Sequence, residues 1–251
     1  MKGAVSIGEA RALPGLRLVL LKGLPTPWSQ AAKGLLEIKG IPYTPVHKAD
    51  ADPDDALESW TGQTSYPAAM LDDEPARTGW AEILLLAERL RPAPALVPKD
   101  AALRAVMFGY AHELCGEMGL GWCRRLVSVD AGMKSDPPNP VSRWLGRKYG
   151  YRAEGMAEVH ERIPAILRAL DALLAEHGGE YLLGDLTALD VYWATFCNLV
   201  SPLPPEQLPM PKGLRAMFAA SDPPTTEALS PALLALRDRV YERHLTLPVD
   251  L

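Results

Sequence analysis

Few residues in this chain are placed to do chemistry, and the first group is Thr26-Pro27-Trp28-Ser29. Threonine can cap a helix and proline suits its first position, so these residues open a helix with two hydroxyls near its positive end. No Cys-x-x-Cys stands there, which excludes a redox-active dithiol. Cys115, Cys123 and Cys197 lie far away in sequence and are expected to be buried structural thiols. His47, His112, His160, His177 and His244 have no metal-ligand spacing. Walker loops, GxSxG and HExxH are absent, so no metal is expected. Met118 and Trp122 are i and i+4, and on a helix they would share a face able to line an apolar pocket. Thr187-Ala-Leu-Asp190 has capping-box spacing, with Leu186 and Val191 as the staple. Its role is to start a helix.

The pattern around these residues sets the elements that must hold them. Leu16 to Lys22 reads as a buried strand, and Trp28 to Ile38 keeps helical spacing up to Gly40. Ile41 to Val46 reads as a second strand, and Pro53 to Trp60 as a short helix. Pro67 to Leu71, a turn at Asp72 to Glu74 and a return are expected to form a hairpin. Trp80 to Leu90 is an amphipathic helix. The order is β-α-β-α-β-β-α, then a proline-bearing break at 91–98. Beyond residue 99 the spacing is helical: one long helix from Asp100 to about Leu126, a surface excursion over 130–150, and helices at 153–176, from Thr187, 214–219 and 233–245. This predicts a leader at 1–15, an α/β domain at 16–92 and an all-helical domain at 99–251 with an extended tail.

Composition narrows the class. The chain has 251 residues, 26 Lys or Arg against 31 Asp or Glu, and a net charge of −5. That balance argues against nucleic acid as a partner. No apolar run approaches the roughly 20 residues of a membrane helix, and the N-terminus is too poor in apolar residues for a signal peptide. The expected location is cytoplasmic, without a membrane partner. The 24 prolines cluster in connections, where they end helices. A doubly wound nucleotide domain is disfavoured by the lack of a Gly-rich phosphate loop.

Four stretches resemble the glutathione transferase superfamily. They are Thr26 to Tyr43, Ser65-Tyr-Pro-Ala-Ala-Met70, Ala81 to Leu90, and Tyr181-Leu-Leu-Gly-Asp-Leu-Thr-Ala-Leu-Asp-Val191, the last being the most specific. The resemblance implies a thioredoxin-like N-terminal domain followed by a helical-bundle C-terminal domain. It implies Thr26 as hydroxyl donor to a glutathione thiolate, with Trp28 and Ser29 beside it. Tyr66 and a cis Pro67 would pair with the cysteinyl unit, and Thr78 with Gly79 would face the γ-glutamyl end. Relatives carry Glu-Ser at those last two positions, so the acidic partner for the ligand's ammonium is absent there. Met118 and Trp122 would line the electrophile's pocket. A homodimer is implied through the third and fourth helices of the family. Two functions stay open: conjugation of glutathione to an electrophilic apolar compound, or a non-catalytic role as ligand carrier or assembly partner.

Overall fold

The computed structural model describes residues 3–250. Its chain forms two units. The first runs to Pro98 and includes Leu203–Met210 and the segment from Arg239; the second is Lys99–Pro202 with Pro211–Asp238.

The first unit is built on four strands: β1 (Val5–Ser6), β2 (Leu16–Val19), β3 (Thr44–His47) and β4 (Ala68–Leu71). Their order is β1-β3-β2-β4. β3 is parallel to both β1 and β2, and β4 runs antiparallel to β2 with Val19 opposite Ala68 and Leu16 opposite Leu71. Every residue of β2 is buried, as a central strand covered on both faces requires. Alternate side chains go to opposite faces. Leu16 and Leu18 meet Ala32, Leu36, Ile83 and Ala87 from α2 (Pro27–Ile38) and α4 (Trp80–Leu90). Val19 packs instead with Ile7, Ala10, Ala56 and Leu57 from α1 (Ile7–Ala10) and α3 (Ala56–Thr61).

The sequence-based boundaries need three corrections here. Residues 5–10 are not a leader but an edge strand and a helix, held by a local cap and by contacts from β3 and the loop after it. Ser6 N–H donates to Glu9 Oε2 at 2.8 Å and Glu9 N–H to Ser6 Oγ at 3.2 Å, a capping box. Asp52, from the loop after β3, accepts the N–H groups of Ile7 and Gly8 at 3.1 and 3.0 Å. The expected hairpin is reduced to one bridge, Ala69 with Arg77, because Pro75 brings no donor to the returning strand. The fourth strand is therefore β1. The tail also departs from expectation, since Lys33 on α2 donates to the Asp250 carbonyl at 2.6 Å and Val249 N–H to the Gln207 carbonyl at 2.7 Å, both within the first unit.

The second unit holds α5 (Ala101–Cys115), α6 (Leu120–Met133), α7 (Pro140–Lys148), α8 (Met156–Glu176), α9 (Ala188–Cys197), α10 (Lys212–Ala219), α11 (Pro223–Ala228) and most of α12 (Pro231–His244). The single long helix expected over 100–126 is two helices. The chain breaks at Gly116 to Gly119, where Met118 has φ +56°, and a Cβ on Gly119 would collide with the carbonyls of His112 and Glu113. The expected surface excursion at 130–150 contains α7. Buried Arg124 on α6 closes two helix ends: it donates to the Leu199 carbonyl at 2.8 Å and to Met217, Phe218 and Ala220 carbonyls at 3.3, 3.2 and 2.7 Å. No described helix is long and apolar enough to cross a membrane.

Candidate functional site

Three segments of the first unit meet at one end of the sheet. β2 ends at Val19, and the loop after it delivers Thr26 to the N-terminus of α2. Val19 pairs with Ala68, so Tyr66 and Pro67 lie just beyond that same edge. Ala69 pairs with Arg77, which leads Thr78 and Gly79 back in the same direction to the start of α4. This end is also the carboxyl end of parallel strands β2 and β3, where open α/β sheets place ligands.

Thr26 is the N-cap of α2, with Pro27 at the first position, but its side chain makes no capping bond. Its Oγ1 is buried and has no hydrogen-bond partner among the described residues. Ser29 is 1% exposed, and its Oγ is likewise buried without a partner. A buried hydroxyl left unpaired costs about 1–3 kcal/mol, so two beside one helix N-terminus are an unmet capacity for hydrogen bonding. Trp28 is half-buried between them in sequence.

The Tyr66–Pro67 peptide is cis. Tyr66 packs against the α1/α3 core, and burial raises its hydroxyl pKa. The approach loop is shaped by Gln63, whose Oε1 accepts the Ser65 N–H at 2.8 Å.

At the start of α4, Gly79 is the N-cap and its N–H donates to the Glu82 carboxylate. Reading the sequence for a Glu-Ser pair missed Glu82. The signal was its place at the third helical position, where an acid returns to the N-cap N–H. An anion approaching Gly79 meets this carboxylate, whereas an ammonium finds an acceptor.

Met118 and Trp122 do not share one helix face as their spacing suggested. Met118 sits in the break between α5 and α6, so the i, i+4 relation on one helix does not exist; its carbonyl accepts Arg162 Nε at 2.7 Å. Trp122 stacks edge-on against Tyr149, with ring centroids 4.7 Å apart. The second unit does contain a cavity of about 460 Å³, lined by Val106, Tyr110, Arg162 and Ile166 among others on α5 and α8.

All three cysteines are buried and none is in a disulfide. Burial pushes the Cys123 thiol up to about 11, Cys197 to about 12 and Cys115 well above its ordinary value. None is an activated nucleophile. Among the described residues no group of three metal-ligating side chains comes together.

No protein-family description matches the chain, and no curated protein matches it in sequence. Solved structures do match its shape. A glutathione S-transferase from Methylobacillus flagellatus with glutathione bound superimposes with TM-score 0.66 at 13% identity, over 91% of this chain and 96% of that one. A β-etherase from Sphingobium gives 0.63 at 20% identity, over 91% and 95%. A glutathione S-transferase from Methylobacterium radiotolerans in complex with glutathione sulfonate gives 0.62 at 19% identity, over 90% and 91%.

Proposed function

We propose, for a chain that has the glutathione transferase fold, that the start of α2 receives a thiol, glutathione or a close analogue, and conjugates it to an electrophilic apolar small molecule. The unpartnered Thr26 Oγ1 carries this reading. A free thiol has a pKa of about 8.5, and each unit of lowering takes about 1.4 kcal/mol. A helix N-terminus supplies up to about 2 kcal/mol to an anion, and a hydroxyl donating to a charged acceptor about 1.5–3 more. The thiol proton leaves to solvent, the thiolate forms a C–S bond, and the leaving group departs with its electron pair. Ser29 is the second donor beside Trp28; Tyr66 and Pro67 present backbone to the cysteinyl unit; Thr78 and Gly79 face the γ-glutamyl end.

The second reading, a non-catalytic ligand carrier or assembly partner, is favoured by Glu82. Its carboxylate already occupies the Gly79 N–H that an incoming carboxylate would use.

Thr26→Val separates these readings. In the ligand-free protein it leaves stability unchanged or raises it, because the hydroxyl it removes bonds nothing. Turnover with a halogenated nitroaromatic electrophile falls about 10- to 150-fold, while glutathione affinity by calorimetry changes little. Equal rates and equal bound-thiol pKa, read by ultraviolet absorbance, would take Thr26 out of the chemistry. Absence of glutathione binding to the wild type would end the enzymatic reading. The same reading includes a homodimer: light scattering should give twice 27.3 kDa, and a monomer at assay concentration speaks against that part alone.

A further inference from the structure

Helix α7 carries its large side chains on the outside. The residues it buries are small, Ser142 and Gly146. Gly132 on α6 lies so close that any side chain there would collide with Ser142 Oγ, and a Cβ on Gly146 would meet Val129 Cγ1 at 3.4 Å. Small residues therefore make the α6–α7 crossing. That leaves Val141 62% exposed and Trp144 52% exposed on the outer face. Their spacing of three places them side by side.

Cations surround them. Arg143, Arg147, Lys148 and Arg152 all fall within residues 139–152, a stretch with no acidic residue in a chain of net charge −5. Arg143 and Arg147 are exposed, and Lys148 Nζ sits 5.4 Å from the centre of the Trp144 ring. Burial and the nearby charge of Arg125 lower the Lys148 pKa.

We infer that this outer face of α7 docks on an anionic lipid surface, with Trp144 and Val141 entering the headgroup boundary and Arg143, Arg147 and Lys148 meeting the anionic headgroups. Indole and aliphatic groups ringed by Arg and Lys are the composition of helices that lie in a bilayer interface. Charge complementarity requires an anionic partner. An exposed valine beside the indole requires an apolar phase, which nucleic acid offers only to the ring. A convex nine-residue helix meets a plane without a groove. Net charge averaged over the whole chain conceals this patch, because fields from exposed charges fade beyond about 8 Å at physiological salt.

The test is co-sedimentation of the full-length protein with vesicles of phosphatidylcholine alone or enriched in phosphatidylserine. The expected result is binding to the serine-containing vesicles only, weakening as salt rises. Each cation near the surface is worth about fivefold, so Arg143→Gln with Arg147→Gln should weaken binding about 25-fold. The paired lysine variant should retain it. Trp144→Ala should weaken binding and Trp144→Phe should largely keep it. These side chains are exposed, and matching thermal melts confirm that each variant is folded. The inference is overturned if serine-containing vesicles do not retain the wild type, if the neutral vesicles retain it equally, or if the glutamine pair binds as well as wild type. Equal affinity for soluble polyglutamate also overturns it, in favour of an acidic protein segment.

Discussion

Asp190→Ala lowers the free energy of unfolding by about 2–6 kcal/mol. The Asp190 carboxylate is 0% exposed and accepts the Leu182 N–H at 2.8 Å, the Thr187 N–H at 2.8 Å and the Thr187 hydroxyl at 3.0 Å. Truncation leaves two buried backbone donors without acceptors, each costing about 1–3 kcal/mol. Asp190→Asn keeps one oxygen acceptor but turns an amide NH₂ toward a donor, and falls between the two. The pH dependence follows from burial, which raises the Asp190 pKa from 3.8 to about 6 against those three hydrogen bonds. The folded state thus holds a proton that the unfolded state releases between these values. Its contribution is full below pH 4 and lost as pH rises through about 6, a span of about 3 kcal/mol. Urea denaturation at pH 4.5 and pH 7 should show the gap between wild type and Asp190→Asn shrinking toward neutral pH. A gap that is independent of pH would mean that the carboxyl titrates alike in both states.

Lys39→Ala costs about 3–5 kcal/mol. Lys39 ends α2, with its side chain wholly buried, and its Nζ lies 2.8 Å from Glu88 Oε1 and donates to the carbonyls of Arg91 at 2.8 Å and Pro94 at 2.6 Å. Glu88 in turn accepts the Leu96 N–H at 2.9 Å, and Arg91 returns two bonds to the Lys39 and Gly40 carbonyls at 2.8 and 2.9 Å. Removing the ammonium strands a mostly buried carboxylate and two carbonyls, which is far costlier than never having built the pair. Lys39→Met preserves the stem packing and should cost less. A loss below 1 kcal/mol for Lys39→Ala would show that the clamp contributes little. Because the clamp fixes the C-terminal end of α2, its loss should also blur the position of Thr26 at the other end.

Where sequence reading failed, it failed at contacts between residues far apart in the chain. Ser6-Ile-Gly-Glu9 was a legible capping box, yet the strand that overlaps it, Val5–Ser6, is too short to carry a recognisable period. Only the pairing of Val5 with Val46 and Ser6 with His47 makes the segment part of the sheet, and Asp52, 44 and 45 residues away, holds the start of α1. Met118 and Trp122 showed the opposite error: correct helical spacing across a break. Gly116 and Gly119 were visible, but glycine within a helical pattern is tolerated often enough that close backbone approach had to be seen.

Local order was in the sequence alone. Thr26-Pro27 opening α2, the buried run of β2, Thr187 to Asp190 starting α9 and the proline clusters ending helices all depend on neighbours within four residues, and all four are where the pattern put them. The α/β half followed by a helical half was legible for the same reason, since periods of two and 3.6 are properties of consecutive residues. Tertiary structure decided the rest. It drew the fourth strand from the N-terminus, folded the tail back onto α2, and left the Thr26 hydroxyl buried and unpaired instead of spent on a cap. It turned Trp144 outward by filling the α6–α7 crossing with glycine and serine. Each of these outcomes depends on which surfaces exclude water and which polar atoms find partners across long separations, and neither is encoded in any short window of the chain.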